Sequence, residues 1–214
     1  MNELQLPDLP PEAALMLIDL QADFLDDNGR MPVAREHVGP TIAAAQNAVA
    51  LFKRRGLPIV AIGNEFAPGD VVMNLLRRYA SLKGSPGARW DPRIPLDGLA
   101  YFPKWSGSAF VNKNLEPWLR AKGVRTLVIC GLMARACVTA TTKAALARGF
   151  QVMLLEPAVA CVSDRSRERA LKCARDAERA RIDGEAGEHQ GAARASESAT
   201  SACDVADALT WNAP

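Results

Sequence analysis

"RTLVICGLMARACVTATTKAAL", residues 125–146, holds an apolar run, a glycine and a cysteine in an order typical of a strand followed by a helix. The run ends at Cys130-Gly131, and Cys137 stands six residues after that glycine, at the start of a segment with helical periodicity. A cysteine in that place can be a small buried hydrophobe. It can also be a nucleophile, because open α/β sheets bind ligands at their strand ends and a helix amino terminus favours a thiolate.

Apolar runs alternate with amphipathic segments on both sides of this stretch. The runs of strand length are residues 13–20, 57–64, 99–104, 125–131 and 150–157. The segments with helical periodicity are residues 39–56, 70–84, 114–123, 135–149 and 163–182. Continuous apolar strands are typical of a parallel sheet that is covered on both faces. The alternation predicts an α/β fold, a Rossmann-like three-layer sandwich with a mostly parallel sheet flanked by helices.

A change in composition near residue 184 predicts the domain organisation. The 214 residues are 49% apolar, which is enough for one full core, and we assign residues 1–183 to a single domain. Residues 184–214 are rich in Ala, Ser, Gly and Glu, which is typical of a low-complexity tail. Within this tail, "DVADALTW" is a candidate for a short helix.

Charge and hydropathy argue against several classes of protein. With 26 basic and 24 acidic residues, no basic face for nucleic acid is expected, and no apolar run has the length of a membrane span. The amino terminus, "MNELQLPDLPPEAAL", lacks the basic and then apolar start of a secretory signal. The five cysteines include no Cys-x-x-Cys pair, and their odd number favours reduced thiols. We therefore expect a cytoplasmic protein that binds neither nucleic acid nor membrane.

Reactive side chains follow three of the predicted strands. Asp19 lies at the end of the first strand, Lys104 at the end of the third, and Cys137 just past the fourth. The carboxyl ends of parallel strands meet at one edge of a sheet, so these side chains can be neighbours. Asp19 could then take the thiol proton, while Lys104 and the helix dipole would lower the thiol pKa. Taken singly, Asp19 could be a loop cap and Lys104 a solvated surface lysine.

Three blocks of the sequence carry a resemblance to a known family. "LMLIDLQADFL", "PKWSGSAF" and "CGLMARACVTATTKAALARGF" resemble, in order and spacing, the signature blocks of the isochorismatase-like cysteine hydrolase superfamily. That superfamily includes nicotinamidases, N-carbamoylsarcosine amidases, biuret and ureidoacrylate amidohydrolases, and isochorismatases. The resemblance implies a catalytic triad of Asp19, Lys104 and Cys137. It also implies a cis peptide bond between Leu132 and Met133, which would turn the Met133 and Cys137 amides inward as an oxyanion hole.

The resemblance extends over residues 12–165 and has clear departures. Nicotinamidases carry an Asp-x-His pair and a further histidine as metal ligands after the second strand, where this chain has "IGNEFAPGD". The two histidines, His37 and His189, lie far from that segment, so we expect no metal site and no other cofactor. Ala144 and Pro157 stand where the superfamily usually has aspartates.

These residues predict a metal-independent hydrolase that cleaves an amide or ureido C–N bond in a small molecule through a thioester on Cys137. One alternative is an isochorismatase-type vinyl-ether hydrolase, which would use Asp19 as an acid and needs no cysteine. Another is a non-catalytic small-molecule binder or scaffold. The candidates for pocket walls and substrate orientation are Gln21, Phe24, Asn64, Trp105, Phe110 and Arg135, although the aromatic members could equally be core residues. The resemblance also implies a homodimer or larger homo-oligomer. The connector 84–98, with Trp90 and three prolines, is a candidate contact surface, and the alternative is a monomer whose connector packs on its own sheet.

Overall fold

The computed structural model describes residues 9–188, and within them the chain forms five strands and six α-helices. The strands are β1 (Ala13–Ile18), β2 (Ile59–Asn64), β3 (Ala100–Lys104), β4 (Thr126–Gly131) and β5 (Gln151–Val159). The α-helices are α1 (Ala22–Leu25), α2 (Arg35–Arg54), α3 (Val71–Leu76), α4 (Leu115–Ala121), α5 (Thr139–Leu146) and α6 (Asp164–Glu188). A π-helical turn, Ala134–Val138, joins β4 to α5.

All five strands pair in parallel, in the order β3-β2-β1-β4-β5. β1, β2 and β4 are buried along their whole length, as expected for strands covered on both faces. The chain adds β2 and β3 on one side of β1 and then places β4 and β5 on the other side. The crevice between β1 and β4 is therefore the switch point, where sheets of this kind bind ligands. The predicted α/β fold with a parallel sheet between helices is confirmed.

Two hydrophobic clusters cover the opposite faces of the sheet. Leu15 and Leu17 of β1 belong to one cluster, and Met16 and Ile18 belong to the other. This division follows from the strand itself, because successive side chains point to opposite faces. Helix α2 closes the first cluster with the fully buried Phe52, while α4, α5 and α6 close the second.

The helix predicted over residues 70–84 is much shorter in the structure. Helix α3 ends at Leu76, and the backbone then takes positive φ values of 53° at Arg78, 58° at Tyr79 and 51° at Ser81. A right-handed helix cannot continue through residues in that conformation. The segment instead folds back as an irregular loop, which the apolar periodicity did not indicate.

The carboxyl-terminal helix differs from its prediction in two respects. Helix α6 continues to Glu188, and the rest of the predicted tail lies outside the described residues. Cys130, Cys137 and Cys161 are free thiols, but Cys173 in α6 is disulfide-bonded, so the prediction of reduced cysteines is wrong for Cys173. Within residues 9–188, no helix has both the length and the apolar character needed to span a bilayer.

Candidate active site

The carboxyl ends of four neighbouring strands each carry a polar side chain. Asp19 directly follows β1, Asn64 and Lys104 are the last residues of β2 and β3, and Cys137 lies in the π-helical turn after β4. The register of β2 and β3 places Asn64 beside Lys104. The sheet order therefore brings these four side chains together, although Asn64 and Cys137, for example, are 73 positions apart in the chain.

The backbone at the ends of β1 and β4 has an unusual conformation at two residues. Asp19 has a φ of 55°, and its N–H donates to the carbonyl of Ile62 at 2.8 Å, so the chain turns out of the sheet at that residue. Gly131 has a φ of 123°, and a Cβ atom there would lie 2.0 Å from the carbonyl oxygen of Ile18. Only glycine therefore allows β4 to approach β1 at this point.

Lys104 makes contacts with every other side chain of the group. It is completely buried, and its Nζ lies 2.9 Å from Oδ2 of Asp19 and 3.1 Å from Sγ of Cys137. It also donates to Oδ1 of Asn64 at 2.6 Å and to the carbonyl of Ser106 at 3.2 Å. A buried ammonium group is unfavourable unless it is paired, and these acceptors offset that cost. The alternative that Lys104 is a solvated surface lysine is wrong.

Burial and the neighbouring charges shift the pKa values of all three triad residues. Burial raises the pKa of Asp19, although the charge of Lys104 and donors on Cys137 and Asn64 lower it in part. Among the described residues, however, neither carboxylate oxygen of Asp19 has a hydrogen-bond partner of good geometry. Burial and Asp19 raise the pKa of Cys137 to about 11, against the lowering effect of Lys104. Burial acts to lower the pKa of Lys104, but Asp19 and Cys137 outweigh it and the pKa is raised.

These pKa shifts correct one expectation about the nucleophile. The prediction of a lowered thiol pKa is wrong for the substrate-free site, because desolvation and the Asp19 charge outweigh the effect of Lys104. Asp19 and Cys137 titrate as a coupled pair beside the Lys104 ammonium group, because each shifts the pKa of the other. The proton can pass from Cys137 to Asp19 within the pair when a substrate reacts.

Gln21 and Asn64 form a hydrogen-bonded pair next to the triad. Gln21 is completely buried, and its Oε1 accepts from the N–H of Asn64 at 2.8 Å. Its Nε2 donates to the carbonyls of Asn64 and Ala88 at 2.9 and 2.7 Å. The Nδ2 atom of Asn64 lies 4.0 Å from Sγ of Cys137. The structure thus brings both residues to the site, with the amide of Gln21 already engaged by backbone groups.

The other candidate substrate residues occupy different environments. Phe24 is buried in the hydrophobic cluster closed by α2, and Phe110 is buried on the opposite face, where its ring centre lies 5.9 Å from that of Phe150. Trp105, which follows Lys104 directly, is 53% exposed. Arg135 is partly exposed in the π-helical turn. Of these four, Trp105 directly follows Lys104, and Arg135 lies two positions before Cys137.

The turn that carries Cys137 begins with a cis peptide bond between Leu132 and Met133, at the position that the resemblance implies. Two hydrogen bonds hold this turn in place. The N–H of Ala134 donates to the carbonyl of Ala160 at 2.9 Å, and Oγ1 of Thr139 donates to the carbonyl of Ala134 at 2.7 Å. The amides of Met133 and Cys137 lie at the two ends of this short segment.

A surface groove of about 370 Å³ is a separate feature of the molecule. It is lined by Phe110, Asn112, Lys113, Glu116, Pro117, Arg120 and Arg148. Glu116 forms ion pairs with both arginines there. Phe110 is the one candidate site residue that borders the groove, so the groove does not coincide with the triad.

The described residues contain no group of three or more His, Cys, Asp or Glu side chains that could hold a metal ion. His37 has other contacts, with Nδ1 at 2.9 Å from the carbonyl of Cys161 and Nε2 at 2.7 Å from Oδ1 of Asp164. His189 lies outside the described residues.

Sequence reasoning missed two acceptors at the site. They are the carbonyls of Ser106, which accepts from Lys104, and of Ala88, which accepts from Gln21. A sequence pattern records side-chain types, whereas the direction of a carbonyl depends on how the loop folds. No signal in the sequence could have identified these two groups.

Comparison with known proteins places this arrangement in a family. Residues 13–185 match the family model of the isochorismatase domain. The chain is 27% identical over 158 residues to the ureidoacrylate amidohydrolase RutB of Pseudomonas syringae pv. syringae (strain B728a), which covers 63% of this chain and 64% of that protein. The match thus spans less than two thirds of the length of that relative.

Solved structures share the fold over most of their length. N-carbamoylsarcosine amidase from Thermoplasma acidophilum is 31% identical with a TM-score of 0.65, covering 73% of this chain and 89% of that one. Pyrazinamidase of Pyrococcus horikoshii, in complex with zinc, is 30% identical with a TM-score of 0.69, covering 78% and 96%. Because the matched domain contains all five strands and the four side chains that meet at their ends, the chain belongs to the isochorismatase-like hydrolase superfamily.

Proposed function

We propose that this protein hydrolyses an amide or ureido C–N bond in a small molecule, with Cys137 as the nucleophile and without a metal ion. The observation that carries the proposal is the contact set of Lys104, whose Nζ lies 3.1 Å from Sγ of Cys137 and 2.9 Å from Oδ2 of Asp19. A thiol, a base and a cation at these distances are the parts that a thiol nucleophile needs. The names of the ureidoacrylate and N-carbamoylsarcosine relatives support this substrate class.

In the first half-reaction, Asp19 takes the proton from Sγ of Cys137 as the sulfur bonds to the substrate carbonyl carbon. The amides of Met133 and Cys137 donate to the oxyanion. Protonated Asp19 then gives its proton to the leaving nitrogen as the C–N bond breaks. The products of this step are a thioester on Cys137 and free ammonia or an amine.

In the second half-reaction, Asp19 takes a proton from a water molecule that attacks the thioester carbonyl. The C–S bond breaks, the sulfur regains a proton from Asp19, and the acid product leaves. Lys104 remains protonated throughout. Its charge stabilises the negative charge on the Asp19 carboxylate or on the Cys137 sulfur, whichever carries it.

The donor groups after β2 support a metal-free site. The segment "IGNEFAPGD" supplies Asn64 and Glu65 at the strand end but contains no histidine. Asn64 is a poor ligand for zinc, which prefers thiolate, imidazole and carboxylate groups, and its side chain is engaged by Lys104.

The decisive experiment combines a substrate panel with two variants. Small amides, ureido acids and isochorismate are screened for release of ammonia or pyruvate, and the best substrate is used for kinetics. Cys137→Ala should lose at least about 10⁴-fold in turnover because it removes the nucleophile. Cys161→Ala is the matched control, since it removes a free, buried thiol that follows β5 and is not one of the three proposed catalytic residues.

The same kinetics separate the two alternatives. A vinyl-ether hydrolase that relies on acid catalysis would tolerate Cys137→Ala and fail with Asp19→Asn. A binder would hydrolyse no member of the panel. If Cys137→Ala keeps most of the wild-type rate, the proposed mechanism is wrong.

A further inference from the structure

The side chain of Asn64 contacts two members of the triad, Lys104 and Cys137. Its Oδ1 accepts from Nζ of Lys104 at 2.6 Å. Its Nδ2 lies 4.0 Å from Sγ of Cys137, and the amide also lowers the pKa of Asp19. The amide is therefore in contact with the sulfur that gives up the proton in the proposed mechanism.

Two neighbours fix the orientation of this amide. An ammonium group can only donate, so the contact with Lys104 assigns Oδ1 to that side and directs Nδ2 toward the sulfur. The side chain of Gln21 forms hydrogen bonds with both the backbone N–H and the carbonyl of Asn64, as a neighbouring strand would. It also donates a third hydrogen bond to the carbonyl of Ala88. Only 2% of Asn64 is exposed, so its donor is held toward the reacting atoms.

We propose that Asn64 is a positioning residue for the proton transfer: its Nδ2–H group donates to the sulfur of Cys137 as the thiolate forms. This assignment replaces the expected role of Asn64 as a substrate contact. It rests on the proposed function, because it names a partner of that proton transfer. Gln21 acts through Asn64 by holding its backbone.

The test is the rate of alkylation of Cys137 by iodoacetamide as a function of pH, measured without substrate by mass spectrometry. Asn64→Asp keeps the shape of the side chain but places an acceptor where the donor lies, and Asn64→Ala removes the donor. Asp19 and Lys104, the charged groups that face Sγ from the ends of β1 and β3, stay in place. We expect both variants to shift the profile to higher pH, with about a tenfold lower rate for Asn64→Asp at alkaline pH.

Asn74→Asp is the matched control. Asn74 is also completely buried, and its Nδ2 donates to the carbonyls of Ala67 and Pro68 rather than to a triad residue. The control should lower the thermal unfolding midpoint without moving the alkylation profile. A purely structural role of Asn64 would give the same result as this control.

An unchanged profile in both Asn64 variants would overturn the inference and leave the proposed function intact. A raised KM with an unchanged profile would also overturn it, because that result indicates a contact with substrate. Failure of the proposed function is seen in a different measurement, namely an unchanged hydrolysis rate in Cys137→Ala.

Discussion

At Cys137 the sulfur has two charged neighbours with opposite effects on its ionisation. Lys104 favours the thiolate, whereas Asp19 and burial favour the thiol, and the net result is a pKa of about 11. The carboxylate that must take the proton thus also suppresses the thiolate before substrate binds. The sulfur becomes nucleophilic only as its proton moves to Asp19, which ties activation to the presence of a reacting carbonyl.

This balance predicts the pH dependence of the thiol. Only the thiolate reacts with iodoacetamide, and a raised pKa keeps the sulfur protonated below about pH 11. Alkylation of Cys137 should therefore be slow at neutral pH and continue to rise through the alkaline range. Rates measured by mass spectrometry of the modified peptide check this, and a profile that levels off near neutral pH would contradict it.

Asp19→Asn should have opposite effects on two measurements. Loss of the carboxylate removes a charge and a hydrogen bond that raise the thiol pKa, while Lys104 continues to lower it. Alkylation of Cys137 near pH 8 should accelerate, although hydrolysis falls by about 10⁴-fold because no base remains. Asp91→Asn is the control, since Asp91 is also buried and is paired with Arg93 outside the site. Alkylation that slows in Asp19→Asn would show that Asp19 is not the dominant charge at the sulfur.

At the scale of secondary-structure elements, the ends of β1 and β4 determine how close Asp19 and Cys137 can lie. Gly131 is the last residue of β4, and it pairs with Ile18 in the parallel register. Its positive φ and lack of a side chain let the chain pass the carbonyl of Ile18 and enter the turn that carries the nucleophile. The thiol is thus positioned by a contact between two strand backbones.

Gly131→Ala should destabilise the protein by more than about 2 kcal/mol, because its Cβ would meet the carbonyl oxygen of Ile18 at 2.0 Å in a φ region that alanine rarely adopts. Gly98→Ala is the matched control, since Gly98 also has a positive φ, of 75°, but open space around the added carbon. It should lose only about 1–2 kcal/mol, from backbone strain alone. Urea unfolding measures both, and equal losses would show that the contact with Ile18 relaxes freely.

At the scale of the whole molecule, the sheet order gathers the reactive groups at one edge, and His37, the histidine within residues 9–188, contacts other groups. His37 contacts Asp164 at the start of α6, and the described residues hold no cluster of metal ligands. We therefore expect dialysis against EDTA to change the hydrolysis rate by less than about twofold, since the proposed steps need only side chains and water. Loss of activity that zinc or iron restores would contradict the metal-free mechanism.

The sequence by itself determined the fold and the chemical groups of the site. Apolar runs of strand length alternated with amphipathic segments, and that alternation is sufficient for a parallel sheet because strands buried on both faces must be apolar throughout. Asp19, Lys104 and Cys137 could be named because each follows a strand, and parallel strands end at a common edge. The end of α3 at Leu76 was not predictable, since positive φ values at Arg78 and Tyr79 leave no clear trace in residue type.

Only the tertiary structure decided how these groups behave. The direction in which the pKa of Cys137 shifts depends on burial and on the distances to Asp19 and Lys104. These two residues come from segments far from Cys137 in the chain. In the same way, a solvated and a buried lysine look identical in sequence, and Asn64 became a neighbour of the thiol only through the pairing of β2 with β3. Residue types are local properties of a sequence, whereas desolvation and hydrogen-bond geometry are set by the packing of distant segments.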